Sequence, residues 1–120
     1  MLLSMRLTSV PFEKMRNGEK TIELRLFDKK RRTITVGDQI VFVNLSNSSE
    51  TLLTQVTGVY PFKTFAELYR KLPLLECGYS PVELSSASPN DMEQFYSKEE
   101  QKKYGVVGIR IKLLEQGDIS

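Results

Sequence analysis

The chain has 120 residues, 40% of them hydrophobic and 27% charged, with seventeen Lys and Arg against fifteen Asp and Glu. This is the composition of an ordinary globular protein, which argues against disorder, a collagen-like repeat or a disulfide scaffold, and the length predicts a single domain over residues 1–120 with one real core. There is no His, so every imidazole mechanism is excluded, and the lone Cys77 can form neither an internal disulfide nor a multi-thiolate metal site. Neither GxGxxG nor GxxxxGK[ST] occurs, and no acidic cluster stands at a useful spacing, so no cofactor and no metal are expected. No apolar run reaches the ~18–20 residues of a membrane helix, and residues 1–6 are too short and too soon charged for a signal peptide. A cytoplasmic protein with no membrane partner is the expectation.

The predicted elements follow in chain order. Residues 2–8 alternate weakly and read as a strand. Ser9 is a candidate helix cap with Pro11 in the first turn, Phe12 and Met15 lie three apart on one face, and Gly18 closes the helix as a left-handed residue. Residues 21–26 alternate strictly: Ile22, Leu24 and Leu26 share one face, and Thr21, Glu23 and Arg25 share the other. Gly37-Asp38 marks a turn before an apolar strand over 39–45. Residues 44–50 read as a polar loop and 51–60 as the returning strand, with Gly58 a possible bulge. Thr64 and Glu67 form a capping box, which predicts a helix to about Lys71, ended by Pro73. Residues 74–87 are irregular. Ser88-Pro89 opens a short helix, Ser97 with Glu100 opens another, and 105–114 form a last strand. Five or six strands joined by hairpins and short helices favour a mainly antiparallel sheet curling into a small barrel, an α+β fold.

Charge is concentrated early in the chain. Residues 14–32 hold eight Lys and Arg against Glu19, Glu23 and Asp28. Lys29, Lys30, Arg31 and Arg32 are read either as a solvated loop or as a site that attracts phosphate in a salt-dependent way. The most informative stretch runs from Gly18 to Leu26. Gly18 sets the backbone of Lys20 at a helix–strand corner, from which a side chain can enter a cleft. Glu23 and Arg25, about 7 Å apart along one strand face, either form an ordinary exposed surface or grip one polar ligand with an acceptor and a planar donor fork. The expectation is that the Lys20 amine, the Glu23 carboxylate and the Arg25 guanidinium converge on one recess at the mouth of the barrel.

The segment Gly18-Glu19-Lys20-Thr21-Ile22-Glu23-Leu24-Arg25, with Gly37-Asp38-Gln39-Ile40-Val41-Phe42 after it, resembles the ASCH domain family of the PUA-like superfamily, whose pattern is G-x-K-x-x-E-x-R and then Gly-Asp before an apolar strand. Phe95 to Glu100 and Tyr104 to Ile109 are similar to small bacterial members. The resemblance implies a PUA-like barrel with flanking helices and a cleft lined by residues 18–25. It also implies RNA or a modified nucleoside as partner. A more distant resemblance is to amidohydrolases of N4-acetylcytidine, which use a lysine, a threonine three residues later and a distant glutamate. Lys20 matches the lysine and Glu76 the glutamate, while Glu23 occupies the threonine position.

Three readings follow. The first is a binding module, with Gly18, Lys20, Thr21, Glu23 and Arg25 holding the base or ribose and residues 29–32 meeting phosphate. The second is a small amidohydrolase with Lys20, Glu23 and Glu76 catalytic. Lys20 as a base needs a pKa lowered by burial, and Glu23 beside it works against that. The third is a protein-interaction domain without cleft chemistry. Cys77 reads as a buried small hydrophobe.

Overall fold

The computed structural model describes residues 1–114. The elements are β1 (Leu2–Leu7), α1 (Ser9–Arg16), β2 (Ile22–Leu26), β3 (Gln39–Asn44), β4 (Asn47–Phe62), α2 (Phe65–Lys71), α3 (Lys98–Tyr104) and β5 (Val106–Leu113). Short 3-10 segments lie at Arg31–Thr33, Leu84–Ser86 and Pro89–Gln94. The five strands form one sheet in the order β1-β3-β4-β5-β2. The β1–β3 pair is parallel and the other three pairs are antiparallel, so the sheet is mainly antiparallel as the hairpin spacing predicts.

The sheet is a curled half-barrel. The expected closure of a barrel is not what holds its two ends together. Strands β1 and β2 are the edges and share no ladder. They nevertheless approach each other, because Arg25 Nη2 of β2 donates to Arg6 O of β1 at 2.6 Å. A side-chain bridge stands where a barrel would have backbone hydrogen bonds.

Apolar side chains pack on both faces. Inside the curl lie Met5, Leu7, Ile40, Phe42, Val107 and Ile109, covered by Phe12 and Met15 of α1. On the outer face Ile22, Leu24, Leu26 and Val106 pack against Phe65 and Leu68 of α2, together with Cys77 and Met92. The register of β2 with β5 sets Glu23 opposite Ile109 and Arg25 opposite Val107. Residues paired across a ladder share a face, so Glu23 and Arg25 point into the curl and not to solvent. With both faces of β2 covered, Glu23 is 5% exposed. The reading of an exposed polar strand face is therefore corrected: period two identifies the faces of a strand but not what lies over each.

Other local expectations changed in instructive ways. The cap of α1 is Thr8, and it makes no side-chain cap bond. The Ser9 hydroxyl instead donates to Ser46 Oγ at 2.6 Å. The stretch taken as a loop is strand from Asn47 onward, because β4 continues through the polar turn. Its register shifts between Val56 and Gly58, where a bulge is expected. The segment after Ser88 is a 3-10 turn, closed by a capping box with Asp91. The boxes at Thr64 and Ser97 open α2 and α3 as read, although only that of Ser97 is reciprocal. None of the described helices is long and apolar enough to cross a membrane.

Candidate functional site

The site begins at the turn between α1 and β2. Gly18 has φ +81°, which lets the chain reverse out of the helix. Lys20 N then bonds Lys14 O, and the Lys20 side chain folds beneath the loop that carries residues 77–79. The amine Nζ donates to Ile22 O at 2.8 Å and to Cys77 O at 2.9 Å, and Glu23 Oε1 lies 3.2 Å away. Three protons thus face three acceptors. Glu23 Oε2 accepts from Arg25 Nε at 2.7 Å, and Glu23 Oε1 also accepts from Leu24 N. The side chains of Lys20 and Glu23 are each 6% exposed and that of Arg25 is 15%. This is a buried chain of charge in which the amine and both carboxylate oxygens are paired. Burial by itself would raise the Glu23 pKa, but Lys20 and then Arg25 outweigh it and hold the carboxyl below the usual glutamate range.

Lys20, Glu23 and Arg25 line a recess of about 580 Å³. Ligand pockets generally fall in the range of about 300–1,000 Å³. Its walls are aromatic: Tyr69 from α2, Tyr79 from the loop after α2, and Phe95 and Tyr96 after the 3-10 turn at Pro89–Gln94. The Tyr69 and Tyr79 hydroxyls are 2.7 Å apart, and Tyr79 donates to Asp91 Oδ2 at 2.7 Å. Asp91 Oδ2 also accepts Ser88 N, so one carboxylate caps the turn and anchors the tyrosine pair. Burial, followed by hydrogen bonding to Tyr69 and Asp91, pushes the Tyr79 phenol up. Lys14 Nζ donates to Gly78 O at 2.7 Å and clamps the loop against α1. Gly78 has φ +110°, and a Cβ there would lie 3.4 Å from Lys20 Cδ. Burial raises the Cys77 thiol to about 11, which suits a packed side chain rather than a nucleophile.

The other sequence candidates are placed elsewhere. Gly18 and Thr21 do not line the recess, and neither does Glu76. Thr21 Oγ1 donates to Glu76 Oε1 at 2.9 Å, and Arg110 Nη1 pairs with the same oxygen. Glu76 O accepts from both Thr21 N and Ile22 N, so this residue staples its loop to the start of β2. The basic run divides. Lys29 is exposed, and Lys30 Nζ donates to Ser4 O at 3.3 Å. Arg31 pairs with Asp28 at 2.9 Å, and Arg32 lies over the Phe27 ring at 4.4 Å. None of these four lines the recess. The recess residues missed by the sequence reading are Lys14, Tyr69, Tyr79, Asp91, Phe95 and Tyr96. They come from four separated segments, and only the short spacing from Ser88 to Asp91 carried a signal, which was that of a cap. Among the described residues no group of Cys, Asp and Glu is placed to hold a metal ion.

A family model of the ASCH domain matches residues 5–115. The chain belongs to the ASCH domain family. RNA binding is proposed for this family. Among solved structures, this ASCH domain is similar to hypothetical protein PH0355, at 34% identity over 95% of this chain and 100% of that one, with a TM-score of 0.77. It is similar also to protein PF0455 from Pyrococcus furiosus, at 34% identity over 96% and 99% of the two chains, with a TM-score of 0.72. An ASCH domain from Lactobacillus crispatus JV V101 shares the fold at 15% identity and a TM-score of 0.64, over 93% of this chain and 79% of that one. No curated protein matches the chain.

Proposed function

We propose that this ASCH domain binds RNA or a modified nucleoside, with one base held in the recess above Lys20, Glu23 and Arg25. The observation that carries the reading is the paired charge chain at the floor of an aromatic-walled recess of about 580 Å³. Aromatic faces stack on any base, each stack contributing about 1–3 kcal/mol. Arg25 uses Nε on Glu23 and one Nη2 proton on Arg6 O, so the remaining guanidinium N–H groups are the donors left for a carbonyl or phosphate oxygen. The internal pairing gives the recess a preorganised polar floor, which lowers the ordering cost of binding.

The same geometry favours binding over amide hydrolysis. Lys20 Nζ has an acceptor for each proton, Glu23 is held ionised by two cations, and Glu76 is engaged outside the recess by Thr21 and Arg110. A general base needs a free lone pair within reach of a water or substrate proton. The test is calorimetric titration with ribonucleosides, N4-acetylcytidine among them, against the wild type and Phe95→Ala. Phe95 is 60% exposed, so its removal leaves the fold intact. Saturable binding weakened about fivefold to a hundredfold in Phe95→Ala is expected. Absence of nucleoside binding, or equal affinity in the variant, would refute the recess as a base site.

A further inference from the structure

We propose that a second concavity, between α3, the C-terminal end of β4 and the turn at Arg31–Thr33, holds the phosphodiester backbone of a single-stranded nucleic acid. It measures about 880 Å³ and shares no lining residue with the recess. Its rim carries Arg32, Lys63, Lys98, Lys102 and Lys103 against one acid, Glu67. All five cations are exposed. Among the described residues Lys63, Lys102 and Lys103 enter no ion pair, and Lys98 meets only Glu93 at 3.5 Å, with its side chain 83% exposed. Such an excess of one sign around a concave wall focuses the field and attracts an anion of many charges.

The floor adds a second kind of recognition. Phe27, Phe62 and Tyr104 lie half-buried between the cations. Arg32 stacks on Phe27 at 4.4 Å and donates to Tyr104 O at 3.1 Å, while Lys103 stands 5.1 Å from the Tyr104 ring. Cations interleaved with aromatic faces suit a strand of phosphates and bases. A flat bilayer would meet the exposed cations and leave the half-buried rings unused, so a flexible strand fits this concavity better than anionic lipid. One hydrogen bond links the two concavities, since Gln101 lines the groove and its amide donates to the backbone of Tyr96, which lines the recess. The inference rests on the nucleic-acid reading for the class of ligand, but not on a base occupying the recess.

The experiment titrates a labelled twelve-nucleotide oligouridylate, over a series of salt concentrations from about 50 mM upward, into the wild type and into the triple variant Lys63→Ala/Lys102→Ala/Lys103→Ala. Uridine and cytidine, which lack phosphate, are titrated in parallel. The expected result is a loss of roughly tenfold or more in oligonucleotide affinity at low salt, with the slope of log affinity against log salt reduced by about 2, since each phosphate contact on a single strand contributes about 0.7. Nucleoside binding should be equal in the two proteins. An unchanged affinity and slope in the variant would overturn the groove, as would a wild type that ignores the oligonucleotide at low salt or is captured by phosphatidylserine vesicles in its place. Absence of nucleoside binding in the wild type, with the oligonucleotide still bound, removes the recess reading and leaves the groove standing.

Discussion

The recess and the groove hold similar charged groups in opposite states. In the recess Lys20, Glu23 and Arg25 are buried and paired with one another and with backbone carbonyls. In the groove Lys63, Lys102 and Lys103 stand in solvent without ion-pair partners among the described residues. Buried charge must be compensated from within, because desolvation costs several kcal/mol per ion. Exposed charge costs little and remains available to a ligand. The same side-chain type therefore serves folding in one place and recognition in the other, and only burial separates the two.

The largest expected effect breaks that comparison at its buried end. Glu23→Leu strands Lys20 and Arg25 as uncompensated buried cations and should destabilise the domain by about 3–5 kcal/mol. Chemical denaturation would measure it, and a loss below 1 kcal/mol would show that the chain of charge is not a structural unit. Acid supplies a second route to the same group. The folded pKa of Glu23 lies below its unfolded value, so the unfolded chain takes up this proton first as pH falls. The stabilisation is complete above the ordinary glutamate pKa of about 4.3 and is lost as pH drops from there through the folded value. Stability curves from neutral to acid pH should fall in that window, and the fall should be shallower in Glu23→Gln.

A smaller effect sharpens the boundary of the recess. Gly78→Ala puts a side chain at φ +110° beside the Lys20 stem and should cost about 1–3 kcal/mol, read as a lower thermal midpoint. The smallest effect belongs to the exposed end. Lys102→Ala should leave stability within about 0.5 kcal/mol of wild type. A large destabilisation there would contradict the division between the two regions.

What was legible in the sequence follows the same division. Strict alternation from Thr21 to Leu26 announced β2, the boxes at Thr64 and Ser97 announced α2 and α3, and Gly37-Asp38 announced the turn before β3. The nearness of Lys20, Glu23 and Arg25 was also legible, because all three lie within six residues on one corner and strand. Their burial was not, since it depends on Ile109 and Val107 arriving from β5 and on the loop at Cys77 closing over the amine. Tyr69, Tyr79 and Asp91 were unreadable as a group: they are ten and twelve residues apart, in a segment without periodicity, and meet only through tertiary packing. The placement of Glu76 reflects the same limit, because a glutamate that staples a loop and one that faces a ligand look alike in sequence. The groove's Arg32 and its lysines are about thirty to seventy residues apart, and only the fold of α3 against the end of β4 gathers them.

The central claim is that a base occupies the recess, and amide chemical-shift mapping during titration of the isotope-labelled protein with a ribonucleoside tests it most directly. The account predicts saturable shifts concentrated at Lys20, Gly78, Tyr79, Phe95 and Tyr96. Shifts confined to other surfaces, or none at saturating ligand, would contradict it.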